Sequence, residues 1–133
     1  GGGADGSLIT FGATELTFPA NGGLADVTAE LKKFADNHNV SYGDIIQFGG
    51  ALGLSNCVGA PQIQTFVGRA PATAASPPNL LPLPTDDVTS ILARFSDAGI
   101  STANAIWLLA SHSVAAQQLV DPAIAGSPFD STP

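Results

Sequence analysis

Trp107-Leu108-Leu109-Ala110-Ser111-His112-Ser113 is the segment on which the fold class turns. It lies inside a run from Ala103 to Ala116 whose strongly polar members are Asn104, Ser111, His112 and Ser113. The run is too apolar for a surface helix, and at about 14 residues too short to span a membrane. It reads as a buried helix carrying a single imidazole. A lone histidine on such a helix is most often an inert core residue. Its neighbours here are small: Ala110, Ser111, Ser113, Ala115 and Ala116 leave room for a large flat group against the helix. Trp107 precedes His112 by five positions, about 140° around the helix, so the two sit close together on different faces.

Outward from this stretch the chain reads as helices joined by long ordered connections. Ser101 caps the His112 helix and Gly99 ends the one before it. That preceding helix is expected from Asp86 to Ala98, capped by Thr85, with Val88, Ile91, Leu92 and Phe95 as its core stripe and two aspartates favouring its N-terminus. Another is expected from Leu24 to Asn37, where Leu24, Val27, Leu31, Phe34 and Ala35 fall at helical spacing and His38 forms a solvated end. A third starts at the N-cap Ser41, with Asp44 giving a capping-box-like start. Ile45, Ile46, Phe48, Ala51, Leu52 and Leu54 predict that it is largely buried. Gly49, Gly50 and Gly53 each cost about 1 kcal/mol of helix propensity, which predicts that a backbone or a flat ligand approaches closely there. Between Cys57 and Pro84 the prolines exclude long helices, and no charged residue lies between Arg69 and Asp86. This predicts a fixed, wrapped loop. Strand periodicity and internal repeats are absent. The fold class is all-α, with about four main helices in a single domain.

Composition limits the function classes. The 133 residues are 44% hydrophobic and 11% charged, with a net charge of -7 and a pI near 4.2. A basic patch for nucleic acid is missing, and the acidity disfavours anionic membrane surfaces. It suits a secreted protein working in an acidic medium. The start at Gly1-Gly2-Gly3 and the lack of any Met predict an internal piece of a longer protein. The single Cys57 is either a buried free thiol or half of a disulfide. At the N-terminus, Gly1 to Ser7 reads GGGADGS, followed by a short apolar run Leu8-Ile9-Thr10-Phe11 expected to be buried. The glycines permit a tight path that aims carbonyl, carboxylate and hydroxyl oxygens at one centre, as a hard cation needs. The same residues also make a plain glycine-rich turn.

GGGADGS, SNCVGAP, GRAPATAASP, the DAGI helix end, WLLASHSVAA and PFDSTP follow one another along the chain. In this order they resemble the secreted fungal haem peroxidases of the plant-peroxidase superfamily: the lignin, manganese and versatile peroxidases. The resemblance covers essentially all 133 residues. It implies an incomplete haem peroxidase fold, residues 1–133 being an internal part of one domain that runs from the end of the distal half through the proximal histidine helix. It further implies haem b, two Ca²⁺ ions, H₂O₂ as oxidant, aromatic or lignin-like substrates, an extracellular monomer, and no nucleic-acid or membrane partner.

Position by position, the resemblance makes His112 the proximal haem-iron ligand, whose other ring nitrogen needs a partner. Ser113, Asp130 and Thr132 match ligands of a proximal Ca²⁺. Gly3, Asp5 and Ser7 match ligands of a distal Ca²⁺. Asn21 matches the asparagine that orients the distal histidine, and Cys57 matches half of a disulfide whose partner lies outside this sequence. Trp107 matches the surface tryptophan that passes electrons from bulky substrates to the haem, so Trp107 and Asn21 are the catalytic candidates. Gln118 stands where Mn²⁺-oxidising members carry an aspartate, and an amide is a poor ligand there. Leu83 replaces an acidic residue often found at the haem-edge opening. A lignin peroxidase-like enzyme is favoured, with a versatile or manganese-type peroxidase and a non-catalytic, Ca²⁺-stabilised helical relative as the alternatives.

Overall fold

The structure, a computed structural model, describes residues 4–110. Six α-helices and one 3-10 turn account for the regular structure of these residues, and no strand occurs among them. The all-α expectation holds. The chain divides after Leu80 into two compact units, which are taken in turn.

The first unit begins with two single-turn helices, α1 (Ser7–Thr10) and α2 (Gly12–Glu15), and a 3-10 turn at Pro19–Asn21. The run from Leu8 to Phe11, expected as buried, is half-buried around an exposed Thr10 because it coils into α1. α3 spans Ala25–His38 and ends where Asn39 adopts the left-handed conformation at φ 53°. α4 spans Tyr42–Ser55. It starts as expected: Ser41 Oγ accepts the Asp44 backbone N–H at 3.1 Å, an N-cap worth about 1 kcal/mol.

α3 and α4 pack on each other, and Ala35 is the buried apolar residue of their contact at 1% exposure. Thr28 is also buried, its hydroxyl donating to the carbonyls of Leu24 and Ala25 at 2.9 Å each. The predicted apolar stripes are only partly covered. Val27 and Phe34 of α3, and Phe48 and Leu52 of α4, are about half exposed among the described residues. Periodicity identified which face of α4 is apolar, but its close-packed part is the first turn, where Gly43 and Asp44 are buried. His38 lies exposed in the last turn of α3, as expected, and its ring stacks on Phe34 with centroids 6.5 Å apart.

From residue 56 the chain runs without a helix until α5. The first unit fastens this loop at two points by carboxylates described below.

In the second unit α5 covers Val88–Asp97 and α6 covers Thr102–Leu109. The cap of α5 is Asp87, two residues beyond the expected Thr85. Its carboxylate accepts the Ser90 N–H at 2.9 Å and the Ser90 hydroxyl at 2.7 Å. The displacement has a local cause. Asp86 closes a turn with Leu83, accepting the Leu83 N–H at 2.8 Å while its own N–H donates to the Leu83 carbonyl. That turn occupies the residues that would have formed the helix start. Gly99, at φ 79°, ends α5, with Ile100 N–H donating to the Phe95 carbonyl. Ser101 caps α6 by accepting the Asn104 N–H at 3.2 Å. Ala105 is buried against α5. The expected continuation of this helix through His112 falls outside the described residues.

Candidate functional site: a loop, two carboxylates and an exposed tryptophan

Gly6 gives the GGGADGS loop its path. Its φ is +81°, and a Cβ there would meet the Gly43 nitrogen at 2.5 Å. In the other direction, a Cβ on Gly43 would meet the Ala4 carbonyl oxygen at 2.6 Å. Two glycines thus let the backbone of the loop lie directly on the first turn of α4. This is the close backbone approach expected at Gly49, Gly50 and Gly53, and it occurs elsewhere. Gly50 and Gly53 face open space among the described residues, and Gly49 faces only the Leu31 side chain.

Held this way, the loop enters a chain of hydrogen bonds. Asp5 Oδ1 accepts the Ser7 N–H at 3.0 Å. The Ser7 hydroxyl donates to Glu15 Oε2 at 3.2 Å, so its lone pairs point away from Glu15. Glu15 Oε1 accepts the Ser76 N–H at 2.8 Å, across 61 residues of sequence. The backbone carbonyl of Glu15 accepts from Asn21 Nδ2 at 2.9 Å. With its amide N–H₂ committed in this way, Asn21 is fixed in orientation and its Oδ1 stays available as an acceptor. Glu15 is 4% exposed and is the hub through which Asp5, Ser7, Asn21 and the proline-rich loop are joined. It was not among the expected site residues.

The oxygen set suits a hard cation. One carboxylate and one hydroxyl oriented by a neighbouring carboxylate are what calcium coordination uses, with backbone carbonyls completing the shell. Among the described residues no group of three or more His, Cys, Asp or Glu gathers into a metal site, so any cation here is held by mixed oxygen ligands. Gly3 of this set, and Ser113, Asp130 and Thr132 of the second expected set, lie outside the described residues, as do His112 and Gln118.

A second carboxylate fastens the loop to α4. Asp44, 7% exposed, accepts the Gly68 N–H at 2.8 Å, the Arg69 N–H at 3.3 Å and Arg69 Nη1 at 2.9 Å. Its expected role at the helix start is only part of what it does. The Gly68 backbone bond, with the Arg69 guanidinium added to it, holds the Asp44 carboxyl down at about 2. Arg69 also donates to the Phe66 carbonyl. Gly68 sits at φ +108°, a conformation that favours glycine.

Between α3 and α4, Asp36 accepts from Lys32 at 2.6 Å and from the Tyr42 hydroxyl at 2.9 Å. These bonds push the Asp36 carboxyl below its usual range and the Lys32 amine up. All three groups are at the surface and form a modest tie between the helices.

Cys57 follows α4, half-buried, and its thiol has no partner among the described residues. In the second unit Trp107 projects from α6 with 76% of its surface exposed. Ile106, Leu108 and Leu109 are also exposed on this helix, and Leu83 is exposed in the turn before α5. No helix among the described residues is long and apolar enough to cross a membrane.

The sequence as a whole matches known proteins. A family model described as Peroxidase covers residues 1–128. The low-redox potential peroxidase of Taiwanofungus camphoratus is 58% identical over all of this chain and 40% of its own length. Versatile peroxidase VPS1 of Pleurotus eryngii is 55% identical, and ligninase H2 of Phanerodontia chrysosporium 52%, each over all of this chain and 36% of the relative. The chain thus spans about two fifths of the length of these relatives. With a helical fold, an ordered oxygen-rich loop and an oriented asparagine already in place, these matches show that the chain belongs to the peroxidase family and is similar along its whole length to fungal members of it.

Proposed function

We propose that the chain is part of a secreted, monomeric haem peroxidase that uses H₂O₂ to oxidise aromatic, lignin-related substrates. The observation that carries this reading is the Asn21 arrangement. Its Nδ2 is held by the Glu15 carbonyl at 2.9 Å, which presents Oδ1 to accept an imidazole N–H. An acceptor at that place keeps the opposite ring nitrogen of a distal histidine unprotonated and ready to take a proton from peroxide. That histidine belongs to the rest of the full-length protein, and Asn21 acts through it as a positioning residue.

His112 would hold the haem iron, and haem would supply the redox chemistry that couples peroxide to substrate oxidation. The residues of this chain do the surrounding work. Asp5 and Ser7, with Gly3, hold the distal Ca²⁺, and Glu15 transmits that anchoring to Asn21. Ser113, Asp130 and Thr132 would hold a second Ca²⁺. Cys57 closes a disulfide to another part of the domain.

Trp107 serves bulky substrates. A polymer cannot reach a buried haem, but it can give an electron to an exposed indole, which would pass it on to the haem. The exposure of Trp107 favours this role over that of a core residue, although the apolar residues beside it on α6 are exposed as well. The similarity to a low-redox potential peroxidase favours a second reading, in which Trp107 is idle and only easily oxidised phenols are used. Trp107→Phe in the full-length holoenzyme separates the two. The relay reading expects activity on bulky, high-potential aromatics to fall by orders of magnitude while haem loading and small-phenol activity persist. Retention of both activities places electron entry elsewhere, and loss of both makes Trp107 structural.

A further inference from the structure

The three residues that join α3 to α4 are Asn39-Val40-Ser41. An Asn-x-Ser triplet with a residue other than proline in the middle is the acceptor pattern for N-linked glycosylation. We propose that Asn39 is glycosylated when the full-length protein passes through the secretory pathway, an inference that rests on the secreted reading above but not on peroxidase activity.

The folded structure is suited to it. Asn39 is exposed in the turn, in the left-handed conformation at φ 53° and ψ 46°. Its backbone N–H is already satisfied by the Ala35 carbonyl. Its side chain takes part in no hydrogen bond with the described residues, in contrast to the amide of Asn21. Substituting the Asn39 amide nitrogen therefore removes nothing that the fold uses. The residue borders an open groove of about 360 Å³ with Asp36, Tyr42 and Pro71, so a sugar leaving Asn39 meets space. Surface turns of this kind are where such acceptors belong in secreted proteins.

The donor is an oligosaccharide carried on a lipid pyrophosphate. The Asn39 amide nitrogen forms a bond to the anomeric carbon of the first sugar. The bond from that carbon to the pyrophosphate oxygen breaks, the lipid pyrophosphate leaves with the electron pair, and the nitrogen gives up one proton. No oxidant or reductant takes part. In the folded chain Ser41 Oγ is occupied as the cap of α4, accepting the Asp44 N–H at 3.1 Å. The transferase therefore reads Asn39 and Ser41 on the extended chain, before α4 forms.

The test is to produce the full-length protein in a fungal secretion host and map its peptides by mass spectrometry, with enzymatic deglycosylation in heavy-oxygen water. A labelled conversion of asparagine to aspartate at position 39 is expected, together with loss of one glycan in Asn39→Gln and in Ser41→Ala, and its retention in Ser41→Thr. Asn39→Gln is decisive because it leaves the Ser41 cap intact. Protein held inside the cells is mapped in the same way, so the site is scored whether or not release occurs. An unmodified Asn39 in protein that has entered the pathway overturns the proposal, as does an unchanged number of glycans in Asn39→Gln. Peroxide turnover and haem absorbance, measured on the same samples, report separately on the functional reading.

Discussion

Gly43→Ala tests whether the loop around Asp5 is the calcium anchor it is proposed to be. The new methyl group would stand 2.6 Å from the Ala4 carbonyl oxygen, 3.1 Å from the Asp5 carbonyl carbon and 3.2 Å from Arg69 Cδ. The Arg69 stem can shift, but the Ala4 and Asp5 atoms are backbone and move only if the loop moves. Overpacking of this kind costs about 1–3 kcal/mol. Alanine returns part of that, up to about 1 kcal/mol in a helix interior, and less in the first turn. A net loss of about 1–2 kcal/mol follows, because a contact to fixed backbone outweighs the propensity gain. If the loop relieves the strain by swinging away in the calcium-free state, the whole loss appears as weakened calcium binding, about 5- to 30-fold at about 1.4 kcal/mol per tenfold. Titration of chelator-treated full-length protein with Ca²⁺, followed by calorimetry and by the rise in Tm, reads it. Gly12→Ala is the control, since its methyl group would touch only the end of the Leu16 side chain at 3.3 Å. A Gly43→Ala protein with wild-type calcium affinity and Tm would refute the close approach. A lower Tm with unchanged affinity would refute the role of Asp5 and Ser7 as ligands.

Other outcomes are expected from the same residues. The Asp44 carboxyl is held at about 2 rather than 3.8, so its stabilising effect is complete above about pH 4 and is lost as pH falls through about 2; Asp44→Asn should flatten the acid limb of Tm against pH, and an unchanged acid limb would count against the Arg69 and Gly68 bonds. With Gln118 in place of a carboxylate, steady-state turnover with Mn²⁺ as sole reductant should be far below that with an aromatic substrate, and comparable turnover would contradict this. Residues 1–133 expressed alone should not hold haem, since metal and cofactor binding is coupled to folding; a Soret band that survives gel filtration would contradict this.

Where local chemistry sets an element, the sequence predicts it. Ser41 and Ser101 cap α4 and α6 through side-chain oxygens that reach only three residues along the chain, and Gly99 stops α5 through its own φ. The start of α5 is less readable because Thr85, Asp86 and Asp87 all carry capping oxygens, and their allocation depends on a turn back to Leu83. Periodicity finds the apolar face of a helix but does not say what covers it. Phe48 and Leu52 fit the pattern of α4 and still stand half exposed among the described residues. The glycines of α4 show the same limit: nothing in the spelling of Gly43, Gly49, Gly50 and Gly53 distinguishes the one that meets a backbone from those that do not.

The long-range ties escape local rules for a different reason, and one signal for them is present. Glu15 reaches Ser76 and Asp44 reaches Arg69 across distances that no local rule covers. Yet in a chain with 11% charged residues, the placement of each charge carries information. Glu15 stands alone in an otherwise uncharged stretch that runs from Gly6 to Ala25, and no charged residue separates Asp44 from Arg69. A carboxylate placed in neutral, largely apolar sequence is drawn into the interior with its neighbours, and a buried charge is tolerated only with hydrogen-bond partners. Such a residue is therefore a candidate cross-link by its place in the sequence alone. The solvated charges of α3, Asp26, Glu30, Lys32, Lys33 and Asp36, lie at surface spacing, and four of them pair with neighbours three or four residues away. The isolated charges take partners from distant segments, and these are the ones that hold the loop, Asn21 and α4 in register.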